Sequence, residues 1–135
     1  MEALRAAAQK FYSSLDAQDW DAVGRLVTPD FVALVGDGPP MALTTWRERL
    51  GTFYEGFPDG HHVIDEYVVG EQAVATRCRF LGTHTGTFQG IEPTGTEVSA
   101  GVIHIDHVID GKIVRHHGQL DMLGLLSRLR NAAPS

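Results

Sequence analysis

The segment from Val102 to Asp121 gathers the side chains best suited to moving protons. It holds His104, Asp106, His107, His116, His117 and Asp121, with Asp110-Gly111 between them. A neutral imidazole can donate a hydrogen bond to a carbonyl and to the oxyanion that develops on it. A carboxyl group in apolar surroundings has its pKa raised toward neutrality and can serve first as base and then as acid. Asp121, beside Leu120, Met122 and Leu123, has such surroundings in prospect. His104, His117 and Asp121 on one face would also suit a two-histidine, one-carboxylate iron site. Neither His61-His62, nor His116-His117, nor the spacing of His104 and His107 matches a metal motif, because adjacent strand residues point to opposite faces. No metal is expected.

Asp110-Gly111 lies between two β-branched runs, which is the strongest short signal for a hairpin. A two-residue turn sets Ile109 opposite Lys112, Asp106 opposite Arg115, His104 opposite His117, and Val102 opposite Gln119. Alternation then gives one polar face with Val102, His104, Asp106, Arg115, His117, Gln119 and Asp121. The other face carries Ile103, Ile105, His107, Ile109, Lys112, Val114, His116 and Leu120. Helices covering the polar face would enclose a pocket and leave the apolar face for a second subunit. The opposite arrangement, with the apolar face as core and the polar face in water, is equally open from pattern alone.

The elements that must position these residues fall in two blocks. Leu4, Ala7, Ala8, Phe11, Tyr12 and Leu15 form a helical stripe over 2–17. Asp19 is placed to cap a second helix carrying Trp20, Val23, Leu26 and Val27. Thr28-Pro29-Asp30 ends it, and Phe31 to Val35 reads as a short strand. Thr45 with Glu48 forms a capping box for a third helix over 46–56, with Trp46, Leu50, Phe53 and Tyr54 inward. From there the period is that of strands: His61 to Val69, Ala73 to Gly82, Glu97 to Ile109, and Lys112 to Asp121. Helices first and strands after indicate an α+β fold, and the long strands require a strongly curved sheet.

At 135 residues the chain suits one domain, expected over 1–130, with 131–135 as a frayed tail. The formal charge of −6 argues against nucleic acid and against an anionic membrane surface. No apolar run approaches the length of a membrane span, and the N-terminus lacks a signal core. Cys78 is the only cysteine and reads as a small apolar strand residue, so a reducing, cytoplasmic location is expected.

An ordered set of short segments carries a resemblance. Phe57-Pro58-Asp59, Gly82-Thr83-His84-Thr85-Gly86, Pro93-Thr94-Gly95, Asp110-Gly111-Lys112-Ile113, and Asp121 with Leu123-Gly124-Leu125-Leu126 resemble the SnoaL-like polyketide cyclases, within the nuclear-transport-factor-2-like superfamily. The resemblance implies a cone-shaped, curved antiparallel sheet wrapped around a helix-capped cavity. It implies dimers or tetramers packed through the sheet, here through Ile103, Ile105, Val114 and Leu120. It also implies intramolecular aldol ring closure without metal or cofactor, with Asp121 as acid/base. His84 matches the family's histidine, with a plain loop hydrogen bond as its other role. The chain departs from the family at His117, where tryptophan is usual. The resulting expectation is proton transfer next to a carbonyl of a small apolar ligand, with Asp121, His104 and His117 catalytic. Gln119, His84, Trp46 and Tyr54 would bind the ligand. The alternative is a non-catalytic binding protein on the same fold.

Overall fold

Ala8, Phe11, Tyr12 and Leu15 bury one face of helix α1 (Glu2–Asp16) in the computed structural model, which describes residues 2–132. Asp19 caps α2 (Trp20–Leu26), its carboxylate accepting the Ala22 N–H at 3.1 Å. Strand β1 (Val27–Val35) begins four residues before the expected Phe31. Pro29 is tolerated inside it because β1 is an edge strand whose ladder slips between Val27 and Val32. Helix α3 (Leu43–Gly56) likewise starts earlier than the capping box suggested. The Trp46 N–H already bonds the Ala42 carbonyl at 3.0 Å, so Thr45 lies within the first turn and cannot cap it.

Strands β2 (His61–Val69), β3 (Ala73–Thr83), β4 (Glu97–Ile109) and β5 (Lys112–Leu120) follow, and α4 (Met122–Ala132) closes the chain. The sheet order is β1-β5-β4-β3-β2. Four strands form an antiparallel meander, while β1 joins β5 in parallel, so the sheet is mixed rather than wholly antiparallel. Register shifts between Ile64 and Glu66, and between His107 and Val108, curve it around the helices. Helix α4 includes Asn131 and Ala132, two residues of the expected tail, and the rest of that tail lies outside the described residues. Among the described residues no helix is long and apolar enough to cross a membrane.

The β4–β5 hairpin decides the site. Asp110 and Gly111 both have positive φ, at 51° and 79°, as a mirror-image two-residue turn requires. The expected pairs Ile109–Lys112 and Val108–Ile113 form. Val114 is then left out as a bulge, and pairing resumes one residue later, with Asp106 opposite His116 and His104 opposite Gly118. The physical reason is the charge on Arg115. Unbulged pairing would turn Arg115 into the interior, whereas the bulge keeps it in water and turns His116, Gly118 and Leu120 inward. His117 and Gln119 therefore face outward with Ile103 and Ile105, a correction to the polar face expected from strict alternation.

Two apolar clusters flank the hairpin's inner face. One joins Phe11, Tyr12, Leu15, Phe31 and Trp46 to Val74, Val108 and Ile113. The other joins Tyr54, Phe57, Phe80 and Phe88 to Val98, Ala100, Leu125 and Leu129. The principal cavity opens between them.

Candidate active site

Helix α3 lays Trp46, Leu50, Phe53 and Tyr54 across from the inner faces of β4 and β5 and touches β5 where Trp46 meets His116 at 4.9 Å between ring centroids. A cavity of about 590 Å³ remains, bounded also by Val35, His62, Phe80, Val102, Gly118, Leu120 and Met122. Its size falls within the usual range for small-molecule sites. Trp46 and Tyr54 both stand in its wall, and Gln119 borders its rim from the outer face.

Two histidines lie beneath the cavity floor at Gly118. His104 and His116 face each other at 4.8 Å between ring centroids, and their Nε2 atoms flank Gly118. A methyl group at Gly118 would lie 3.3 Å from His104 Cδ2, 3.7 Å from His104 Nε2, and 3.6 Å from His116 Nε2. Gly118, which lines the cavity, thus adds no side chain over these two buried rings. His116 donates from Nδ1 to Asp106 Oδ1 at 2.6 Å, and the Tyr12 hydroxyl donates to Asp106 Oδ2. Asp106 is fully buried, with these two donors to its carboxylate. Burial and the neighbouring Asp106 hold the Tyr12 pKa well above its ordinary value, so Tyr12 stays a donor. A His116 that gives its Nδ1 proton to Asp106 carries its lone pair on Nε2, toward the cavity.

His104 is neutral at ordinary pH. Burial, with His116 and His62 close by, holds its pKa well below 6.5. Its ring stacks on Tyr12 at 4.8 Å, and its Nδ1 lies 3.7 Å from Cys78 Sγ. The Cys78 thiol is itself pushed up to about 12 by burial, so it remains a protonated, apolar neighbour.

A second carboxylate–imidazole pair stands at the side of the cavity. Asp16, the last residue of α1, accepts from His62 Nδ1 at 2.7 Å, from the His62 N–H at 2.7 Å, and from the Tyr54 hydroxyl at 3.0 Å. Burial and Asp16 raise the Tyr54 pKa, which keeps that hydroxyl protonated. Of the tandem histidines, His62 lines the cavity, while His61 is exposed and bonds the Asp59 carbonyl at 3.1 Å.

Several expected site residues lie elsewhere. Asp121 is exposed and caps α4, its Oδ1 accepting the Gly124 N–H at 2.9 Å. In the bulged register the inward positions are His116, Gly118 and Leu120, so Asp121 follows on the outward side and is not aimed at the cavity. His117 sits on the outer face, 5.9 Å from His107. Its pKa is lowered, first by partial burial and then by His107 and Arg115. His84 is fully buried against Phe57, and its Nδ1 accepts the Thr94 N–H at 3.2 Å, with the Thr94 hydroxyl at 3.0 Å. It fastens the β3–β4 connection and does not line the cavity. The three candidates for a metal, His104, His117 and Asp121, are thus dispersed. Among the described residues no group of three or more His, Cys, Asp or Glu side chains is arranged to hold an ion.

Sequence reasoning missed Asp16, Tyr12 and the inward turn of His116. For His116 a signal existed: Arg115 is the poorer residue to bury, so the face containing it was the better outer face. For Asp16 the signal was weaker, an acid extending the apolar stripe of α1 by one position.

The SnoaL-like polyketide cyclase family model matches residues 6–129. The aklanonic acid methyl ester cyclase AcmA of Streptomyces galilaeus is 34% identical over 73 residues, 53% of this chain and 51% of that protein, so the match spans about half of each. AclR, a candidate hydroxylase from Streptomyces galilaeus, superposes with a TM-score of 0.88 at 26% identity, over 100% of this chain and 85% of that one. IdmH, a candidate polyketide cyclase from Streptomyces antibioticus, superposes with a TM-score of 0.85 at 27% identity, over 93% of this chain and 97% of that one. With a curved sheet, a helix-capped cavity and a family match over nearly its whole length, the chain belongs to the SnoaL-like polyketide cyclase family.

Proposed function

We propose that the chain catalyses proton transfer next to a carbonyl, as intramolecular aldol ring closure or a related isomerisation, on a small polyketide-like compound. The observation that carries this reading is the meeting of the His104 and His116 Nε2 atoms at Gly118, a residue in the wall of a largely apolar cavity. His116, oriented by Asp106, takes the proton from the carbon next to the carbonyl. Neutral His104 donates a hydrogen bond to the carbonyl oxygen, where the enolate charge develops. The enolate carbon attacks a second carbonyl and forms the ring bond. The resulting alkoxide takes back the proton held on His116. Atoms and charge balance without a metal or organic cofactor. In this scheme His116 has the acid/base role that the family resemblance suggested for Asp121, whose carboxylate caps α4.

A non-catalytic binding protein is the rival reading, favoured by one feature: among the described residues no carboxylate lines the cavity directly. Incubation with aklanonic acid methyl ester, the compound in the relative's name, separates the two. Ring closure by the wild type, with kcat lowered at least about 100-fold and KM little changed in His116→Asn, supports catalysis. Binding without turnover selects the carrier, and undiminished kcat in His116→Asn removes the assigned base.

The proposal includes self-association through the outer sheet face, where Ile103 and Ile105 remain 51% and 42% exposed. Leu120, expected on that face, borders the cavity instead. The lone, buried Cys78 fits a reducing, cytoplasmic location.

A further inference from the structure

The cavity-facing stripe of α3 contains one residue that an apolar wall does not need. Trp46, Arg49, Leu50 and Phe53 recur at helical spacing and all line the cavity. Arg49 is the only permanently charged side chain in that lining, within a chain whose net charge is −6. Helix geometry would let an acid at i±3 or i±4 neutralise it. Those positions hold Thr45, Trp46, Thr52 and Phe53, none of them acidic. Among the described residues no carboxylate lies within ion-pairing distance of its guanidinium; the ion pairs that form involve Arg77, Arg79, His62 and His116. Asp16 and Asp106, the carboxylates behind the cavity's histidines and tyrosines, are already bonded to them. An unpaired guanidinium beside an apolar cavity offers two parallel donors to a planar anion.

We infer that the cavity selects a substrate with an apolar body and a free carboxylate, which docks on Arg49 while the reacting carbonyl reaches the histidine floor. This deepens the proposed function and rests on the reading of the cavity as its binding site. It also sets the chain apart from a relative named for a methyl ester, in which that charge is masked. Gln89 lines the same cavity and supplies a neutral amide beside the docked anion, while the Thr52 hydroxyl donates to the Arg49 carbonyl at 2.7 Å.

A matched pair of probes tests the inference without knowledge of the substrate. 2-Naphthoate and methyl 2-naphthoate share an apolar body and differ in charge. Calorimetric titration of the wild type should show the carboxylate binding about tenfold tighter than the ester, a preference that weakens as salt is added. Arg49→Gln, at an exposed helix position, should lower carboxylate affinity to that of the ester and leave the ester unchanged. Equal affinities in the wild type, or a preference that survives in Arg49→Gln, overturn the carboxylate assignment and leave the cavity reading standing. Failure of both probes to bind defeats the cavity reading and the inference with it.

Discussion

The two faces of the β4–β5 hairpin are built from nearly the same residue types and serve opposite ends. The inner face has His104, Asp106 and His116 around Gly118, with every titratable group buried. The outer face has His107 and His117 side by side among Ile103, Ile105 and Gln119, all at least partly in solvent. On the inner face a carboxylate and a tyrosine fix the imidazole of His116, and burial holds His104 neutral. On the outer face no carboxylate is bonded to either imidazole among the described residues. The same side chain is thus a buried, anchored imidazole on one face and part of a partly apolar surface on the other. The one-residue bulge at Val114 decides which histidine has which role.

The largest effect should come from putting on the inner face the charge that the bulge keeps off it. Val108→Arg places a guanidinium at an inner position that is only 3% exposed. A buried arginine without a dedicated partner costs roughly 3–5 kcal/mol, a large part of a small domain's stability. Urea unfolding should show the loss. A Val108→Arg variant with an unchanged midpoint would mean the two faces are interchangeable.

Replacement of Asp106 comes next. Asp106→Ala leaves the Tyr12 hydroxyl and the His116 Nδ1–H without their acceptor, at about 1–3 kcal/mol for each stranded donor. Asp65→Ala, which breaks ion pairs on an exposed part of the sheet, should leave the unfolding midpoint nearly unchanged. Similar losses in the two variants would break the contrast between buried and exposed pairs.

Acid should separate the faces further. The folded His104 pKa lies below its ordinary 6.5, so below that pH the unfolded chain gains a proton that the folded chain refuses. The His104 contribution is therefore level above about pH 6.5 and is lost as pH falls toward the depressed folded value. His104→Gln should flatten the stability slope between about pH 6.5 and 5 more than His117→Gln does. The smallest effect belongs to the outer face: Ile105→Lys should change monomer stability by less than about 0.5 kcal/mol. If the proposed dimer exists, the same variant should convert it to monomer in sedimentation velocity. A wild type that sediments as a monomer removes that proposal.

Much of this was legible from residue order. The hairpin turn at Asp110-Gly111, the alternation that puts His104 and Asp106 on one face, and the cavity-facing Trp46 and Tyr54 all follow from local pattern and turn chemistry. The bulge was not legible, because it is set by the energetic difference between burying Arg115 and burying His116, which exists only once helices cover the face. The Asp16–His62 pair was hidden for a similar reason. Its members lie 46 positions apart and meet only when α1 packs on β2. Asp121 misled because the bulge shifts the rest of β5 by one position, which takes a carboxylate expected in the pocket to the outer side, where it caps α4.

Proton NMR of the histidine rings across a pH series, assigned with single His→Gln variants, tests most directly whether the bulge sequesters the inner face. The predicted result is a His104 signal that shows no transition at its ordinary 6.5 and moves only at lower pH. A His104 signal that titrates near its ordinary 6.5 would contradict the buried, neutral imidazole and the proton-transfer site proposed on it.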